Sequence, residues 1–216
     1  MDKVRILLAD DHQVVRRGVR AIIESQTGWE VVAEASDGRD AVERVAQHKP
    51  DIVLLDIGMP GLNGLDATRA ILKTFPQTEV LILTMHQSEE LVHEVLRAGA
   101  RGYVLKSDAD SNLVAAINAL LEHKPFLTPA VTEKVLVDYL EGSTPTEIRP
   151  RSRLTARERQ IVQLLAEGKS NKEVATALDV AVRTVETHRI NIMHKMGFGS
   201  LSDLVHFAIR NKIVDP

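Results

Sequence analysis

Five polar side chains lie directly after short apolar segments in the first half of the chain. They are Asp10, Asp11, Asp56, Thr84 and Lys106. If the apolar segments are parallel strands, their carboxyl ends meet at one edge of a sheet and bring these groups together. Three carboxylates in one crevice repel each other, and they favour a hard divalent cation with oxygen ligands, Mg²⁺ in particular. Lys106 adds a second positive centre, and Thr84 adds a hydroxyl donor.

A metal ion, a lysine, a hydroxyl and one strand-end carboxylate together form a site that can accept a phosphoryl group. The carboxylate of an aspartate acts as a nucleophile and forms an acyl phosphate, while metal and ammonium offset the charge on the transferred oxygens. Gly58, Pro60 and two further glycines follow Asp56 in LLDIGMPGLNG. This pattern predicts a sharp loop in which the carbonyl of Gly58 faces the metal and Pro60 fixes the exit of the chain.

Each of these residues has an ordinary structural interpretation when it is taken alone. Asp10 or Asp11 would cap the helix that follows, Thr84 would be a loop residue, and Lys106 would be a solvated lysine. Their joint placement at four strand ends favours the phosphoacceptor interpretation.

The elements that must position these groups follow from the hydrophobic pattern. Continuous apolar runs such as ILLA, IVLL and VLIL predict strands that are covered on both faces, as in a parallel sheet between helices. The predicted strands are Val4–Ala9, Glu30–Ala35, Ile52–Leu55, Val80–Thr84 and Gly102–Leu105. The predicted helices between and after them are Gln13–Ser25, Gly38–His48, Gly64–Thr74, Ser88–Ala98 and Asp110–His123.

Five β-α pairs in about 120 residues predict an α/β fold with a doubly wound parallel sheet. The flavodoxin-like strand order 2-1-3-4-5 places the functional crevice beyond the carboxyl ends of the strands. The first domain is therefore expected at residues 1–122.

A linker segment, residues 123–150, is expected next. Thr128–Tyr139 is typical of one further helix, and residues 141–153 are polar, carry two prolines and lack apolar periodicity. The predicted domain boundary lies inside this polar stretch, so the second domain is expected at residues 151–216.

The second domain is predicted to be all-α, with four helices. Thr155 and Glu158 form a capping box at the start of the first helix, which ends near Gly168. The next two helices are Asn171–Leu178 and Arg183–Met196, separated by a short turn, and Ser202–Asn211 follows as the last helix. Two helices joined by a three- or four-residue turn are typical of a helix-turn-helix.

Composition and charge limit the classes of protein. With 44% hydrophobic and 26% charged residues the chain is typical of a globular protein, and without cysteine it has neither disulfides nor thiolate metal sites. No secretory signal or membrane-spanning run is readable, which predicts a cytoplasmic location. Residues 151–216 contain 11 Lys/Arg against 7 Asp/Glu, although the whole chain has a net charge of −3. This asymmetry suggests a polyanionic partner for the second domain.

The motifs of the first half resemble those of the receiver domain of bacterial two-component response regulators over about residues 3–122. The motifs are DD at the first strand end, DIGMPGLNG, LT and YVLKS. The resemblance implies that Asp56 is the phosphoacceptor. It also implies that Asp11 and Asp56 bind Mg²⁺ with the carbonyl of Gly58, and that Asp10 holds metal-bound water.

The same resemblance implies roles for three further residues. Thr84 would bind a phosphoryl oxygen, Lys106 would pair with the phosphate, and Tyr103 would be an aromatic switch whose ring turns inward as Thr84 moves. The structural alternative for Tyr103 is a half-buried aromatic at the sheet edge. Many receivers have proline after the lysine, whereas this chain has Ser107.

The segment of about residues 151–214 resembles the LuxR-type helix-turn-helix, and with a receiver it resembles the NarL/FixJ family. The helix 183–196 would then be the recognition helix, with Val185, Ile192 and Met196 facing inward. Base edges would be contacted by Glu186, Thr187 and Ile190, and the DNA backbone by Lys172, Arg183, Thr184, His188, Arg189 and Lys195. Asn171 and Lys172 open the preceding helix, where backbone N–H groups and the lysine would bind phosphate, and a solvated polar face is the ordinary alternative for these helices. Many relatives have basic residues at positions 186 and 190, so Glu186 either reads a cytosine amino group or faces away.

The sequence thus predicts a transcription regulator rather than an enzyme. A sensor histidine kinase would phosphorylate Asp56 with Mg²⁺, and the change would either release the helix-turn-helix or promote a homodimer on two promoter half-sites in double-stranded DNA. Two alternatives remain open. One is a phosphatase that turns over an aspartyl phosphate, and the other is a phosphorylation-independent DNA-binding protein with a degenerate receiver.

Overall fold

The computed structural model describes residues 3–85, 89–128, 132, 154–211 and 213–214. Its strands are β1 (Val4–Ala9), β2 (Trp29–Ala35), β3 (Ile52–Asp56), β4 (Glu79–Thr84), β5 (Gly102–Leu105) and β6 (Phe126–Leu127). The helices of the N-terminal unit are α1 (Gln13–Glu24), α2 (Gly38–His48), α3 (Gly64–Thr74), α4 (Glu89–Ala98) and α5 (Ala109–Leu121). Those of the C-terminal unit are α6 (Ala156–Ala166), α7 (Asn171–Leu178), α8 (Val182–Met196) and α9 (Leu201–Arg210).

The strands form one parallel sheet in the order β2-β1-β3-β4-β5-β6. This confirms the predicted order 2-1-3-4-5 and adds one short strand beside β5. The sequence did not predict β6, because two apolar residues between Pro125 and Thr128 do not make a strand-length run. Its pairing places Leu127 opposite Tyr103.

Both faces of the sheet are covered, as the continuous apolar strands predicted. Alternate residues of each strand enter two separate cores, because successive side chains of a strand point to opposite faces. In β1, Ile6 and Leu8 pack with α1 and α5, while Leu7 and Ala9 pack with the helices on the other face.

Most predicted elements agree with the structure to within one or two residues. The last helix of the N-terminal unit ends at Leu121, not at His123, because His123 has a positive φ of 57° that ends the helical path. The predicted helix Thr128–Tyr139 lies mostly outside the described residues. Within them, the backbone N–H of Thr132 donates to the carbonyl of Thr128 at 2.9 Å.

The C-terminal unit has the predicted helical organisation and its own core. Thr155 and Glu158 form the expected capping box at the start of α6. Val185 and Ile192 of α8 are fully buried and Met196 is partly buried, as predicted for the inward side of that helix. Within the part of the chain that the structure describes, no helix is both long and apolar enough to cross a membrane.

Candidate functional site

The predicted polar residues meet at the carboxyl edge of the sheet. Asp10 follows β1, Asp56 ends β3, Thr84 ends β4 and Lys106 follows β5. These four strands are neighbours in the sheet, so their ends form one crevice. Asp10, Asp56 and Thr84 are 1%, 4% and 1% exposed, so the side chains are enclosed rather than solvated.

Lys106 lies between the two buried carboxylates. Its Nζ is 2.8 Å from Oδ2 of Asp10 and 2.8 Å from Oδ2 of Asp56. The interpretation of Lys106 as a solvated lysine is therefore wrong, because its side chain is only 5% exposed. The ammonium group of Lys106 offsets part of the repulsion between the two carboxylates. The side of the cluster that faces away from Lys106 remains acidic.

Burial and charge act in opposite directions on the central ion pair. Burial raises the pKa of Asp56, and the attraction of Lys106 only partly offsets this effect. Burial acts to lower the pKa of Lys106, but the charges and hydrogen bonds of Asp56 and Asp10 outweigh it, so the pKa of Lys106 is raised. Lys106 therefore stays positively charged at neutral pH.

Asp11 and His12 complete the acidic side of the crevice. Nδ1 of His12 is 2.6 Å from Oδ1 of Asp11 and 3.4 Å from Oδ1 of Asp10. Ligand atoms of Asp10, Asp11, His12 and Asp56 all lie within 4.8 Å of one another. Three carboxylates at this separation fit a hard cation such as Mg²⁺. His12 was missed from the sequence, although it directly follows the two aspartates.

The alternative that an aspartate caps α1 is wrong. His12 is the N-cap residue of α1, and no side chain caps this helix. Oδ1 of Asp10 instead accepts a hydrogen bond from the backbone N–H of His12 at 2.8 Å, which orients the carboxylate towards the crevice.

The loop after Asp56 is folded tightly against the strand that precedes it. The backbone N–H of Gly64 donates to the carbonyl of Ile57 at 3.0 Å. A Cβ atom on Gly64 would lie 2.1 Å from the carbonyl oxygen of Asp56, so only glycine fits this close approach. Gly58 lies inside this closed loop and is partly exposed.

Tyr103 is fully buried. Its side chain is 0% exposed, because β6 lies on the outer side of β5 and Leu127 is paired with Tyr103. The alternative of a half-buried aromatic at the sheet edge is therefore wrong. Burial raises the pKa of Tyr103 to about 12, so the phenol stays protonated at neutral pH.

The polar side of α8 is accessible in the C-terminal unit. Ile190 is 68% exposed although it is apolar. The other predicted DNA-contacting residues divide by exposure: exposed are Lys172, Arg183, Thr184, Glu186, Thr187 and Lys195, and partly exposed are Asn171, His188 and Arg189. The predicted residues of α7 and α8 are therefore all at least partly exposed.

Several of these predicted residues also have partners inside the unit. Nζ of Lys195 is 2.7 Å from Oε2 of Glu158, which ties α8 to the start of α6. Nη1 of Arg189 donates to Oδ1 of Asn171 at 3.4 Å. The pair of Arg189 and Asn171 holds the start of α7 against α8.

One face of α6 contacts the N-terminal unit, and it was not predicted from the sequence. The side chain of Arg39 on α2 also donates to the carbonyl of Ala177 on α7. Arg159, Gln163 and Glu167 follow each other at intervals of four residues, so they share one helix face. Gln163 is 1% exposed and bonds to the loop after Asp56. The burial of Gln163 could not be predicted from ARERQIVQLLAEG. The spacing of four residues between Arg159, Gln163 and Glu167 could, however, have indicated a polar face of the helix.

Comparisons with protein families cover most of the chain. The family model of the response regulator receiver domain matches residues 6–118. The family model of the bacterial regulatory proteins of the luxR family matches residues 152–208.

One relative is similar to this chain over the whole length of that relative. The oxygen regulatory protein NreC of Staphylococcus aureus is 40% identical over 216 residues, which cover 98% of this chain and 100% of NreC. The similarity therefore includes both units and the segment between them.

Solved structures show the same similarity. A LuxR-family two-component response regulator from Aurantimonas sp. SI85-9A1 has a TM-score of 0.62 and 38% identity, covering 64% of this chain and 99% of that one. The two-component response regulator RcsB in its complex with DNA has a TM-score of 0.59 and 25% identity, covering 95% of this chain and 98% of that one.

Proposed function

Because the chain belongs to the two-component response regulators with a LuxR-type DNA-binding domain, we propose that phosphorylation of Asp56 controls its binding to DNA. The observation that carries this proposal is the pairing of Lys106 with both Asp10 and Asp56 at 2.8 Å. Such a cluster holds a nucleophilic carboxylate beside a fixed positive charge, which is the arrangement that phosphoryl transfer to aspartate requires.

The phosphoryl donor is a phosphohistidine of a sensor kinase. A carboxylate oxygen of Asp56 attacks the phosphorus, the bond from phosphorus to the imidazole nitrogen breaks, and an acyl phosphate forms as the imidazole leaves. Asp11 and Asp56 with the carbonyl of Gly58 would hold Mg²⁺ directly, and Asp10 would hold its bound water. When bound, the cation offsets negative charge on the transferred oxygens. Lys106 moves its hydrogen bond from the Asp56 carboxylate to the phosphoryl group.

Thr84 and Tyr103 transmit the change. The hydroxyl of Thr84, at the end of β4 and buried beside the crevice, binds a phosphoryl oxygen. Tyr103 is on the neighbouring strand with its ring already turned inward, so phosphorylation stabilises this position rather than creating it. A phosphoryl group adds about −1.5 to −2 charges to the crevice.

DNA is bound through α7 and α8. We place the receiver domain at residues 1–122 with β6 (Phe126–Leu127) added to its sheet, the linker after β6 and up to residue 150, and the DNA-binding domain at residues 151–216. Thr187, Ile190 and Glu186 face base edges in the major groove, and the basic side chains contact phosphates. A homodimer places two copies of α8 on half-sites about one helical turn apart.

A phosphatase that uses the same cluster is the main alternative. It requires a group that activates water beside the acyl phosphate, and Gly58, two residues after Asp56, offers no side chain for that role. The lifetime of the phosphorylated chain separates the two functions. A label that persists for minutes supports the regulator, and turnover within seconds supports the phosphatase.

Selection of bound fragments from random DNA tests the proposed function itself. The full chain is incubated with Mg²⁺, with and without a small phosphodonor, and the Asp56→Ala variant is the control. We expect a defined sequence to be enriched more strongly with the phosphodonor, and only for the wild-type chain. Equal enrichment in all samples would contradict control by phosphorylation and favour the degenerate-receiver alternative.

A further inference from the structure

A side chain of the DNA-binding domain forms hydrogen bonds with the backbone of the phosphoacceptor loop. We define this loop as residues 57–63, between Asp56 and α3. Nε2 of Gln163 donates to the carbonyl of Met59 at 2.9 Å. Oε1 of Gln163 accepts from the backbone N–H of Asn63 at 3.1 Å and from its Nδ2 at 3.2 Å. One carboxamide thus bonds to both halves of the loop.

Glu167, one turn further along α6, also forms a hydrogen bond with the loop. Its Oε1 accepts from the backbone N–H of Gly61 at 3.0 Å and from Nε2 of Gln163 at 2.9 Å. The bond with Glu167 orients the carboxamide, so its oxygen faces Asn63 and one of its N–H groups faces Met59. Because Gln163 is 1% exposed, water does not compete for these bonds.

The other sides of the phosphoacceptor loop leave it little room. A Cβ atom on Gly38, at the start of α2, would be 2.0 Å from the carbonyl oxygen of Leu62. The start of α3 is equally close, since a Cβ atom on Gly64 would meet Asp56. The loop is therefore confined by α2 and α3, and Gln163 confines it from the DNA-binding domain.

We propose that Gln163 is a positioning residue of the phosphoacceptor site, and this inference rests on the proposed function of Asp56. The carbonyl of Met59 is one peptide unit away from that of Gly58, which is the proposed metal ligand. Fixing the first carbonyl limits the rotation of the second. The DNA-binding domain therefore raises the affinity of the receiver for Mg²⁺.

The coupling is reciprocal. Any ligand that binds more tightly when α6 is docked also stabilises the docking, by the same factor. Cation binding at the acidic crevice therefore strengthens the contact between the two domains. The docked arrangement leaves the predicted base-contacting residues of α8 exposed, so the contact acts on the phosphoacceptor site and not by covering the DNA-reading surface.

The nearby ion pair between domains does not provide the same constraint. Nη1 of Arg159 is 3.5 Å from Oε2 of Glu94 on α4. Among the described residues, neither atom has a hydrogen-bond partner. This pair contributes attraction between α6 and α4, but it does not contact the phosphoacceptor loop.

The test compares Gln163→Met with Gln160→Met in the full-length chain. Methionine has nearly the same length as glutamine but lacks its donor and acceptor. Gln160 is on the same helix, and its Oε1 accepts from Arg157 of that helix at 3.4 Å. Binding of Mg²⁺ alone is measured by calorimetry, and binding of Mn²⁺ by the resonance signal of the free ion. Thermal unfolding confirms that each variant is folded.

We expect Gln163→Met to weaken the affinity for Mg²⁺ by roughly five- to tenfold, at the lower end of couplings between sites, and Gln160→Met to leave it unchanged. Equal affinity in wild type and Gln163→Met would overturn the inference. An equal loss in both variants would also overturn it, because the effect would then belong to α6 as a whole.

Two further experiments cover a variant that does not fold and a failure of the proposed function. If Gln163→Met does not fold, Glu167→Ala removes the bond to Gly61 from a partly exposed position, and a smaller loss of Mg²⁺ affinity is expected. No loss would overturn the inference.

Labelling of Asp56 by a small phosphodonor tests the proposed function independently. If the wild-type chain is labelled and both glutamine variants bind Mg²⁺ equally, only the inference fails; if it is not labelled, the proposed function fails.

Discussion

Lys106 balances the charge of the phosphoacceptor site. Its ammonium is shared by Asp10 and Asp56, and it is the only lysine or arginine that contacts Asp56 in the described part of the chain. In the proposed mechanism this charge is used twice, first to keep the carboxylates together and then to hold the phosphoryl group. The proposed cation site on the acidic side would depend on Asp11 and Asp56 instead.

Lys106→Ala is expected to separate these two roles. The rate of phosphoryl labelling should fall on the order of a hundredfold, as for the loss of a group that stabilises developing charge. Affinity for Mg²⁺ should change much less, because the carboxylates remain. Labelling kinetics and Mg²⁺ titration of the same preparation measure both effects, with the exposed Lys73→Ala as control. An equal loss of labelling and Mg²⁺ affinity would contradict the assigned role.

At the scale of elements, the phosphoacceptor loop depends on a close approach that glycine alone permits. Gly64→Ala places a Cβ atom 2.1 Å from the carbonyl oxygen of Asp56, so the loop or the start of α3 must shift. We expect destabilisation of about 1–3 kcal/mol and slower labelling of Asp56. Chemical unfolding and labelling kinetics measure these effects.

Gly18→Ala is the matched control for this substitution. A Cβ atom on Gly18 has nothing within 4 Å, and the residue lies inside α1. The control should therefore stabilise the chain by about 0.5–1 kcal/mol and leave labelling unchanged. If Gly64→Ala behaved like Gly18→Ala, the loop would not be confined as the structure indicates.

The capping box of α6 makes the stability of the DNA-binding domain depend on pH. Burial acts to raise the pKa of Glu158, but hydrogen bonds from Lys195 and Thr155 outweigh it and hold the pKa below its ordinary value of 4.5. A carboxylate with a lowered pKa in the folded state adds stability above the unfolded pKa, and this stability is lost as the pH falls through the folded value.

In the Glu158→Gln variant the free energy of unfolding should therefore decrease less below about pH 4.5 than in the wild type. The midpoint of thermal unfolding, measured between neutral and acidic pH, tests this effect. Glu186→Gln on the exposed side of α8 is the control and should leave the pH dependence unchanged. A Glu158→Gln variant with the wild-type pH profile would show that the bond to Lys195 does not stabilise the fold.

The sequence allowed the main elements to be predicted because their signals are local. Continuous apolar strands, the glycines after Asp56 and the capping box of Thr155 and Glu158 each depend on a few neighbouring residues. β6 was missed because its two residues form a strand only where β5 offers an edge. Gln163 was missed because its partners, Met59 and Asn63, are about one hundred residues away in the chain.

For the whole molecule, the charge asymmetry predicted from the sequence fits the division of roles between the two domains. The acidic N-terminal domain contains the cluster of Asp10, Asp11 and Asp56, and the basic C-terminal domain presents Lys172 and Arg183 on its surface. The contact between the domains uses neither surface. It connects α6 with the phosphoacceptor loop, while the predicted base-contacting residues of α8 remain exposed.

Binding of the full chain to its selected DNA fragment should depend steeply on salt. Lys172, Arg183 and Arg189 release about three counterions for each copy of the domain, which predicts a slope of roughly −3 in log affinity against log salt for each bound copy. Lys172→Ala should reduce the magnitude of this slope by about one, whereas Lys73→Ala on α3 should not change it. Fluorescence anisotropy at several salt concentrations measures the slope, and a flat response would contradict phosphate contacts by these side chains.

Mapping of the phosphorylated residue tests the proposal that Asp56 is the phosphoacceptor. The full chain is treated with a small phosphodonor and Mg²⁺, reduced with borohydride to trap the acyl phosphate, and analysed by peptide mass spectrometry. We expect one modified residue, Asp56, and no modification when Mg²⁺ is removed or Asp56 is replaced by alanine. A label on another residue, or a label that persists in Asp56→Ala, would contradict it.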